Sequence, residues 1–232
     1  MKYFYIIANY NKEYAKETEK QIRTYLQERG AVCWSNVPRE DCSGDGRTRK
    51  EDIPEKTQCL ISIGGDGTLI RAARNLAGLN IPILGVNRGH LGYLNQVNRD
   101  DDLEPALDQL LEDRFQIEER MMLCGEAWKG DSLAMKDIAL NEIALIRKSV
   151  LNALRFLVYV NGQYLSRYSA DGIIVSTPTG STAYNMSAGG PLVAPGARMM
   201  IMTPICSHEL NARSIVLEPK DQIQIEVFGD GQ

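Results

Sequence analysis

The chain has 232 residues, of which 44% are apolar, so it can form one large domain or two modest ones with buried cores. Its formal net charge of −4 excludes a strongly basic protein of the kind that binds nucleic acid or anionic lipid through charge alone. We therefore expect no nucleic-acid partner.

Targeting signals and metal motifs are not apparent in the sequence. The N-terminal segment passes from an apolar run directly into a charged one, without the basic start, apolar centre and cleavage site of an export signal. No run reaches the roughly 18 apolar residues that a membrane-spanning helix needs. The 5 cysteines are scattered without a C-x-x-C pair, and only 2 histidines accompany them. We expect a cytoplasmic protein without a membrane partner, a zinc site or a disulfide framework.

The first hundred residues alternate between apolar runs and amphipathic segments, which is typical of a parallel α/β sheet. A long connection rich in proline, glycine and charge, residues 36–55, interrupts the alternation. The predicted strands are residues 3–8, 31–35, 58–63 and 81–86, and the predicted helices are residues 13–29 and about 69–77.

Beyond residue 100 the pattern changes. One more helix, residues 102–111, precedes segments with alternating or β-branched residues, which indicate strands. The clearest of these are residues 154–160, 172–176 and 222–228. We predict an α/β domain over residues 1–99 and a second, mainly β domain over residues 100–232.

Residues 64–68, with the sequence GGDGT and called the glycine loop below, follow a predicted strand and lead into a predicted helix. Backbone N–H groups at a helix N-terminus bind phosphate, and glycine lets the ligand approach closely. The chain has no Gly-Lys dipeptide, which excludes a Walker A loop, and Ile70 replaces the third glycine of a Rossmann fingerprint. A tight turn with Asp66 as a helix cap is the alternative interpretation.

Asp66 is an isolated acid in this part of the chain, because no Asp or Glu occurs from Gly67 to Arg99. A Rossmann site needs an acidic residue there to bind the ribose, so hydride transfer is disfavoured. The stretch contains five basic residues instead, and we predict that they surround Asp66 and suit a polyphosphate. They are Arg71, Arg74, Arg88, His90 and Arg99.

A second motif, ADGIIVSTPTGSTAY at residues 170–184, predicts a strand that continues into a loop rich in hydroxyl groups. Small residues, hydroxyls and one aromatic ring, Tyr184, suit a nucleoside whose base stacks on the ring. A plain Ser/Thr loop is the alternative. Asn141 and Glu142 form a polar pair inside an apolar segment, and taken alone this pattern favours a solvent-facing kink in a strand over a binding site.

These motifs together resemble the NAD kinase family, from about residue 58 to the end. They are GGDGT, the Asn-Glu pair, and SADGIIVSTPTGSTAYNMSAGGPLV followed by TPICSHELNARSIVL. GGDGT also occurs in diacylglycerol and sphingosine kinases, so the later motif makes the resemblance specific. The family implies an α/β domain and a β-sandwich-like domain with a dinucleotide between them. It further implies that the chain lacks a C-terminal segment that returns to the first domain.

The resemblance implies a role for each matching position. Asp66 would act on the reacting hydroxyl, with Gly67 and Arg71 beside it, and Asp171 would contact the dinucleotide. The implied contacts of the ribose and nicotinamide are Asn141 and Glu142, and those of the adenosine part are Thr182, Ala183, Tyr184 and Ser187. The ATP phosphates would bind Gly64, Gly65, Gly67 and Thr68. Ser169, Asn152 and Ser207 before His208 depart from the family pattern.

The expected function is phosphate transfer from ATP, or from polyphosphate, to the 2′-hydroxyl of the adenosine ribose of NAD. Asp66 is the expected general base, and Mg²⁺ or another divalent cation would bridge the phosphates without a dedicated set of protein ligands. A homodimer or homotetramer is expected from the resemblance. The alternatives are a dinucleotide sensor without activity and, with less support, a lipid kinase.

Overall fold

The computed structural model describes residues 1–36, 48–89, 92–98, 100–149 and 152–228. The chain divides into two compact units, Met1–Ile117 and Glu118–Gln232. The first unit is α/β and the second is mainly β, as the sequence predicted. Among the helices of the described residues, none is both long enough and apolar enough to span a membrane.

A parallel four-stranded sheet forms the centre of the first unit, in the order β2-β1-β3-β4. Three helices cover it, because each has one apolar side that must be buried. The strands are β1 (Tyr3–Ala8), β2 (Val32–Ser35), β3 (Cys59–Ile63) and β4 (Ile83–Val86), and the helices are α1 (Glu13–Glu28), α2 (Asp66–Asn75) and α3 (Leu103–Leu111).

Strand β1 shows why the sheet is covered on both faces. Side chains alternate between the faces of a strand, and here both sets are apolar. Phe4 and Ile6 belong to the core that contains α1 and α3, whereas Tyr5 and Ile7 belong to the core that contains α2. The sheet is therefore the middle of three layers, and α2 lies on one face by itself.

Helix α3 belongs to the first unit, although the sequence analysis divided the domains after residue 99. The acidic residues Asp100–Asp102 form a 3₁₀ turn that leads directly into α3. Leu103 and Leu107 are buried in the same core as α1. These acidic residues are thus the start of a packed helix, and the structural division follows Ile117.

The second unit contains a four-stranded sheet in the order β12-β11-β10-β7 and a three-stranded sheet in the order β13-β8-β9. Phe156 and Val158 of one sheet share a core with Ile173 and Met202 of the other. The strands of these sheets are β7 (Glu142–Ile146), β8 (Leu154–Val160), β9 (Gln163–Ala170), β10 (Gly172–Ser176), β11 (Met200–Ile205), β12 (Ile215–Leu217) and β13 (Ile223–Phe228). A separate hairpin is formed by β5 (Leu123–Lys129) and β6 (Ser132–Ala139), and a 3₁₀ turn at Thr179–Thr182 precedes the short helix α4 (Tyr184–Ser187).

Candidate active site

The glycine loop begins where β3 ends, at the centre of the parallel sheet. Gly64 donates its N–H to the carbonyl of Val86 at 2.9 Å, which ties the loop to β4. Its φ of +151° favours glycine, and an added Cβ would lie 2.9 Å from Cβ of Thr68. The first glycine of the motif is therefore required by the backbone itself.

Helix α2 starts inside the motif. Gly65 is its N-cap residue and Asp66 its first helical residue, three positions earlier than the sequence predicted. The N–H groups of Asp66 and Gly67 have no partner within a helix that starts there, and no other acceptor reaches them in the described part of the chain. Gly67 is exposed, and an added Cβ would meet no atom within 4 Å. This helix end is open to an anionic ligand.

Thr68 has a different position from the one expected for a phosphate ligand. Its side chain is 7% exposed, and its hydroxyl accepts a hydrogen bond from Nδ2 of Asn9 at 3.4 Å. The backbone N–H of Thr68 donates to the carbonyl of Gly65 at 2.8 Å, which closes the first turn. In this arrangement Thr68 stabilises the glycine loop through contacts with Asn9 and Gly65.

Three N–H groups from residues 92–98, called the return loop below, fix the carboxylate of Asp66. The backbone N–H of Tyr93 donates to Oδ2 at 2.8 Å, and that of Leu94 donates to Oδ1 at 3.3 Å. Nδ2 of Asn95 donates to Oδ1 at 2.7 Å. A carboxylate offers about four lone-pair positions, so these bonds leave about one available.

The return loop can come this close because residue 92 is glycine. A Cβ added at Gly92 would lie 2.8 Å from Cγ of Asp66 and closer still to Oδ1. The loop is also bound to β4, since the N–H groups of Gln96 and Val97 both donate to the carbonyl of Gly85, at 3.1 and 3.0 Å. The sequence analysis did not identify Gly92 or Asn95, because only the folded chain brings them to Asp66.

The described arginines that were expected around Asp66 donate no hydrogen bond to its carboxylate. Arg88 donates to Oγ1 of Thr18 at 3.2 Å and to Oε1 of Gln21 at 2.9 Å, both on α1. Arg71 is exposed on α2, Arg74 lies in the last turn of that helix, and His90 and Arg99 fall outside the described residues. Within the described ranges, Asp66 accepts hydrogen bonds from amide groups and from no basic side chain. The prediction of a basic environment in contact with this carboxylate is therefore wrong for the arginines that are described.

In the second unit, the Asn-Glu pair lies at the start of β7, where Glu142 is in register with Ser176. The backbone carbonyl of Asn141 accepts hydrogen bonds from N–H of Thr177 at 2.8 Å and from Oγ of Ser176 at 3.4 Å. The side-chain atoms Oδ1 of Asn141 and Oε2 of Glu142 are buried and have no hydrogen-bond partner among the described residues. Burial raises the pKa of the Glu142 carboxyl above its ordinary value.

Most hydroxyl groups of residues 176–187, called the hydroxyl loop below, bond to the protein. Oγ1 of Thr177 donates to the carbonyl of Leu140 at 2.6 Å, and Oγ of Ser181 donates to the carbonyl of Val193 at 3.2 Å. Gly180 packs so closely that an added Cβ would lie 2.5 Å from the carbonyl carbon of Asn141. These hydroxyl groups thus stabilise the turn by bonding to the backbone. The ring of Tyr184 and the side chain of Ser187 are exposed instead.

Asn185, which the sequence analysis passed over, anchors α4. It is fully buried, and its Nδ2 donates to the carbonyl of Pro191 at 3.1 Å while its Oδ1 accepts from Oγ1 of Thr203 at 2.7 Å. A Cβ on Gly190 would collide with this amide. An asparagine between apolar residues, followed by paired glycines, was the available signal.

Two of the predicted residues of the second unit, Asp171 and Tyr184, line one open cavity of about 270 Å³. Arg147 also lines this cavity, and its Nε lies 2.7 Å from Oδ1 of Asp171. Thr182 and Ala183 are half-buried in the turn before α4, where Oγ1 of Thr182 donates to the carbonyl of Thr179 at 3.4 Å. A larger cavity of about 540 Å³ in the first unit is lined by none of the predicted site residues.

The described residues contain no group of three or more His, Cys, Asp or Glu side chains that could hold a metal ion. Asp66 is a single carboxylate at the N-terminus of α2, and its oxygens accept three hydrogen bonds. This donor set does not form a cation site from protein ligands alone. It is compatible with a cation that takes most of its ligands from phosphate and water, as Mg²⁺ commonly does.

Comparison with known proteins gave concordant results for both units. A model described as the ATP-NAD kinase N-terminal domain matches residues 4–115, and one described as the ATP-NAD kinase C-terminal domain matches residues 140–232. The NAD kinase of Lachnospira eligens is 44% identical over 229 residues, which cover 98% of this chain and 78% of that protein. The NAD kinase of Geobacter metallireducens is 38% identical over 232 residues, which cover 100% of this chain and 82% of that protein.

Two solved structures have a similar fold. Yeast NADH kinase, complexed with NADH, matches with a TM-score of 0.86 at 24% identity and covers 100% of this chain and 70% of the yeast chain. An NAD kinase from Archaeoglobus fulgidus, in complex with ATP, matches with a TM-score of 0.74 at 26% identity and covers 100% of this chain and 85% of the archaeal one. The sequence matches span both units, and the structural matches cover the whole chain.

Proposed function

Because this chain belongs to the NAD kinase family, we propose that it transfers a phosphate from ATP to the 2′-hydroxyl of the adenosine ribose of NAD, forming NADP. The observation that carries the proposal is the fixed carboxylate of Asp66 beside the open N-terminus of α2. Phosphoryl transfer needs alignment and charge stabilisation more than covalent chemistry, and these two features supply both.

The ATP phosphates would bind at the glycine loop. The N–H groups at the start of α2 and the partial positive charge of the helix end both attract an anion. Gly65 and Gly67 leave space for it, since an added Cβ at either would meet no atom within 4 Å. Gly64 and Thr68 would act indirectly, by holding the loop in shape, and exposed Arg71 would add positive charge one turn along the helix.

Asp66 would act as the general base. Its remaining lone-pair position would accept the proton of the 2′-hydroxyl as that oxygen attacks the terminal phosphorus atom of ATP and ADP leaves, a role worth roughly 10²- to 10⁴-fold in rate. The three N–H donors keep the carboxylate from rotating away during the step. A base held in this way needs little reorganisation when the substrate binds.

The dinucleotide would complete the hydrogen bonding of the second unit. Oδ1 of Asn141 and Oε2 of Glu142 are buried acceptors without a donor among the described residues, which is costly unless a ligand supplies one. Ribose hydroxyls and the nicotinamide NH₂ group are suitable donors. Asp171 would contact the dinucleotide at the cavity that it shares with Tyr184, and the adenosine part would bind along Thr182, Ala183, Tyr184 and Ser187.

A divalent cation such as Mg²⁺ would neutralise part of the charge of the ATP phosphates. We assign no protein side chain to it, in keeping with the single carboxylate at the loop. From the family resemblance we also expect a cytoplasmic homodimer or homotetramer. Light scattering on the purified chain measures the subunit number.

The decisive experiment is incubation of the purified chain with NAD, ATP and Mg²⁺, followed by an NADP-specific coupled assay. NADP formation is expected, and replacement of ATP by polyphosphate or of NAD by NADH then ranks the donors and acceptors. Binding of NAD without NADP formation would instead identify a dinucleotide sensor. Phosphorylation of diacylglycerol without NADP formation would favour a lipid kinase.

A further inference from the structure

Among the described residues, Asn95 is the one whose side chain donates a hydrogen bond to the Asp66 carboxylate. Its Nδ2 donates to Oδ1 of Asp66 at 2.7 Å, and the residue is 6% exposed. A carboxylate only accepts hydrogen bonds, so the NH₂ group of the amide must face Asp66 and its oxygen must face the sheet. That oxygen, Oδ1, is buried and has no hydrogen-bond partner among the described residues.

Ser62, on β3, provides a donor on the same side of the sheet. It is fully buried, and its hydroxyl also lacks a partner within the described part of the chain. Ser62 is in register with Gly85 of β4, and neighbouring residues of adjacent strands project from the same face. A Cβ added at Gly85 would lie 2.6 Å from Oδ1 of Asn95, so that face is where the amide oxygen lies.

We propose that Asn95 is a positioning residue for Asp66, and that the Ser62 hydroxyl fixes the orientation of the Asn95 amide. The hydroxyl donates to one buried water, which in turn donates to Oδ1 of Asn95, and the NH₂ group of Asn95 then holds Asp66. Each unmet hydrogen-bonding group thereby acquires a partner of the opposite kind, as buried polar groups normally do. This inference rests on the proposed function only for the catalytic role of Asp66. The contacts that hold the carboxylate do not depend on that role.

The chain of contacts predicts a graded effect on turnover. Without the Asn95 amide, the carboxylate would keep its two backbone donors and lose one side-chain donor, so it could rotate about its Cβ–Cγ bond. Substrate binding at the second unit would be unaffected. A positioning role therefore lowers kcat and leaves KM for NAD nearly unchanged.

The test compares Asn95→Ala, Asn95→Asp and Ser62→Ala with Ile7→Val, a control in the core on the same face of the sheet. We expect kcat of Asn95→Ala to fall about tenfold, KM for NAD to change by less than about threefold, and Ser62→Ala to show a smaller loss of the same kind. Ile7→Val should lower the melting temperature without changing either constant.

Asn95→Asp separates positioning from stability. Two carboxyl groups at hydrogen-bond distance share one proton, so the acidic limb of the kcat profile should move upward by about one pH unit or more. An unmoved limb, or losses in kcat that follow the melting temperature as in Ile7→Val, would overturn the proposal. Absence of NADP formation by the unsubstituted chain would instead overturn the proposed function. In that case, loss of amide-exchange protection at Tyr93 and Leu94 in Asn95→Ala would still support the positioning role, and unchanged protection would refute it.

Discussion

The glycine loop and the Asn-Glu pair differ in how completely the folded chain satisfies the hydrogen-bonding groups of their side chains. In the glycine loop, the carboxylate of Asp66 accepts three hydrogen bonds. The return loop can lie against this carboxylate because residue 92 is glycine. In the pair, Oδ1 of Asn141 and Oε2 of Glu142 are buried without a partner among the described residues. The first region is organised before any substrate arrives, whereas the second has an unmet requirement that a ligand can fill.

The difference predicts which kinetic constant each region controls. Substitutions that disturb a preorganised group weaken the stabilisation of the transition state but not the binding of the substrate, so they lower kcat. Substitutions that remove an unmet acceptor weaken ligand binding and raise KM, while the free protein loses no bond. The predictions below test this division, beginning with the largest effect.

Asp66→Asn should reduce kcat by at least about a hundredfold. An amide cannot take the hydroxyl proton, and it offers only one oxygen to the three donors that now bond to the carboxylate. The measurement is NADP formation at saturating NAD and ATP, with thermal melts to establish that the variant folds. Turnover close to that of the unsubstituted chain would exclude Asp66 as the base.

Gly92→Ala should reduce kcat by about tenfold or more, because the added methyl group would overlap the Asp66 carboxylate and displace it. The backbone of Gly92 is not in a region that favours glycine, so the effect is one of space alone. Gly196→Ala is the matched control, since a Cβ there would meet no atom within 4 Å. Equal kinetics in the two variants would mean that the return loop does not set the position of the carboxylate.

Asn141→Ala should raise KM for NAD by about tenfold, which corresponds to one lost hydrogen bond to the ligand, and should change kcat by less than about threefold. The free chain should retain its melting temperature, because the lost oxygen has no partner in the described residues. The backbone bond from Thr177 to the carbonyl of residue 141 remains available. A large fall in kcat with unchanged KM would reverse the roles assigned to the two regions.

Sequence periodicity predicted those parts of the fold that depend on local pattern. Residues 3–8, 154–160 and 172–176 were predicted as strands with the bounds that β1, β8 and β10 have in the structure. Helix α2 started earlier than predicted because glycines, which usually mark a turn, here form its N-cap and first turn. The strand bounds and the early start of α2 are both determined by residues within the segments themselves.

Contacts between distant segments could not be predicted in the same way. Arg88 was expected beside Asp66 because it lies in the same acid-free stretch of sequence, but in the structure its side chain bonds to Thr18 and Gln21 of α1. Asn95 contacts Asp66 across 29 residues, a separation that no periodicity reports. The hydroxyl loop was identified by composition, yet composition does not tell whether a hydroxyl such as that of Thr177 faces a ligand or its own backbone.

The smallest predicted effect is a pH-dependent difference in stability at Glu142. Burial raises the pKa of this carboxyl above its ordinary value of 4.5, so the folded chain holds the proton more tightly than the unfolded chain. The resulting loss of stability is absent below pH 4.5, grows as the pH rises, and is complete above the raised pKa. Because glutamine is neutral throughout, Glu142→Gln should melt increasingly above the unsubstituted chain across that range, without dinucleotide present.

Glu126→Gln is a control of opposite sign for that measurement. A hydrogen bond from Lys136 lowers the pKa of Glu126, so its ionised form favours the folded chain. Its stabilising contribution is lost as the pH falls through the lowered pKa, and the glutamine variant should melt below the unsubstituted chain at neutral pH. Glu126 is exposed, so this difference should be small and should shrink with added salt. If instead the advantage of Glu142→Gln were the same at every pH, ionisation of the half-buried Glu142 carboxyl could not be its cause.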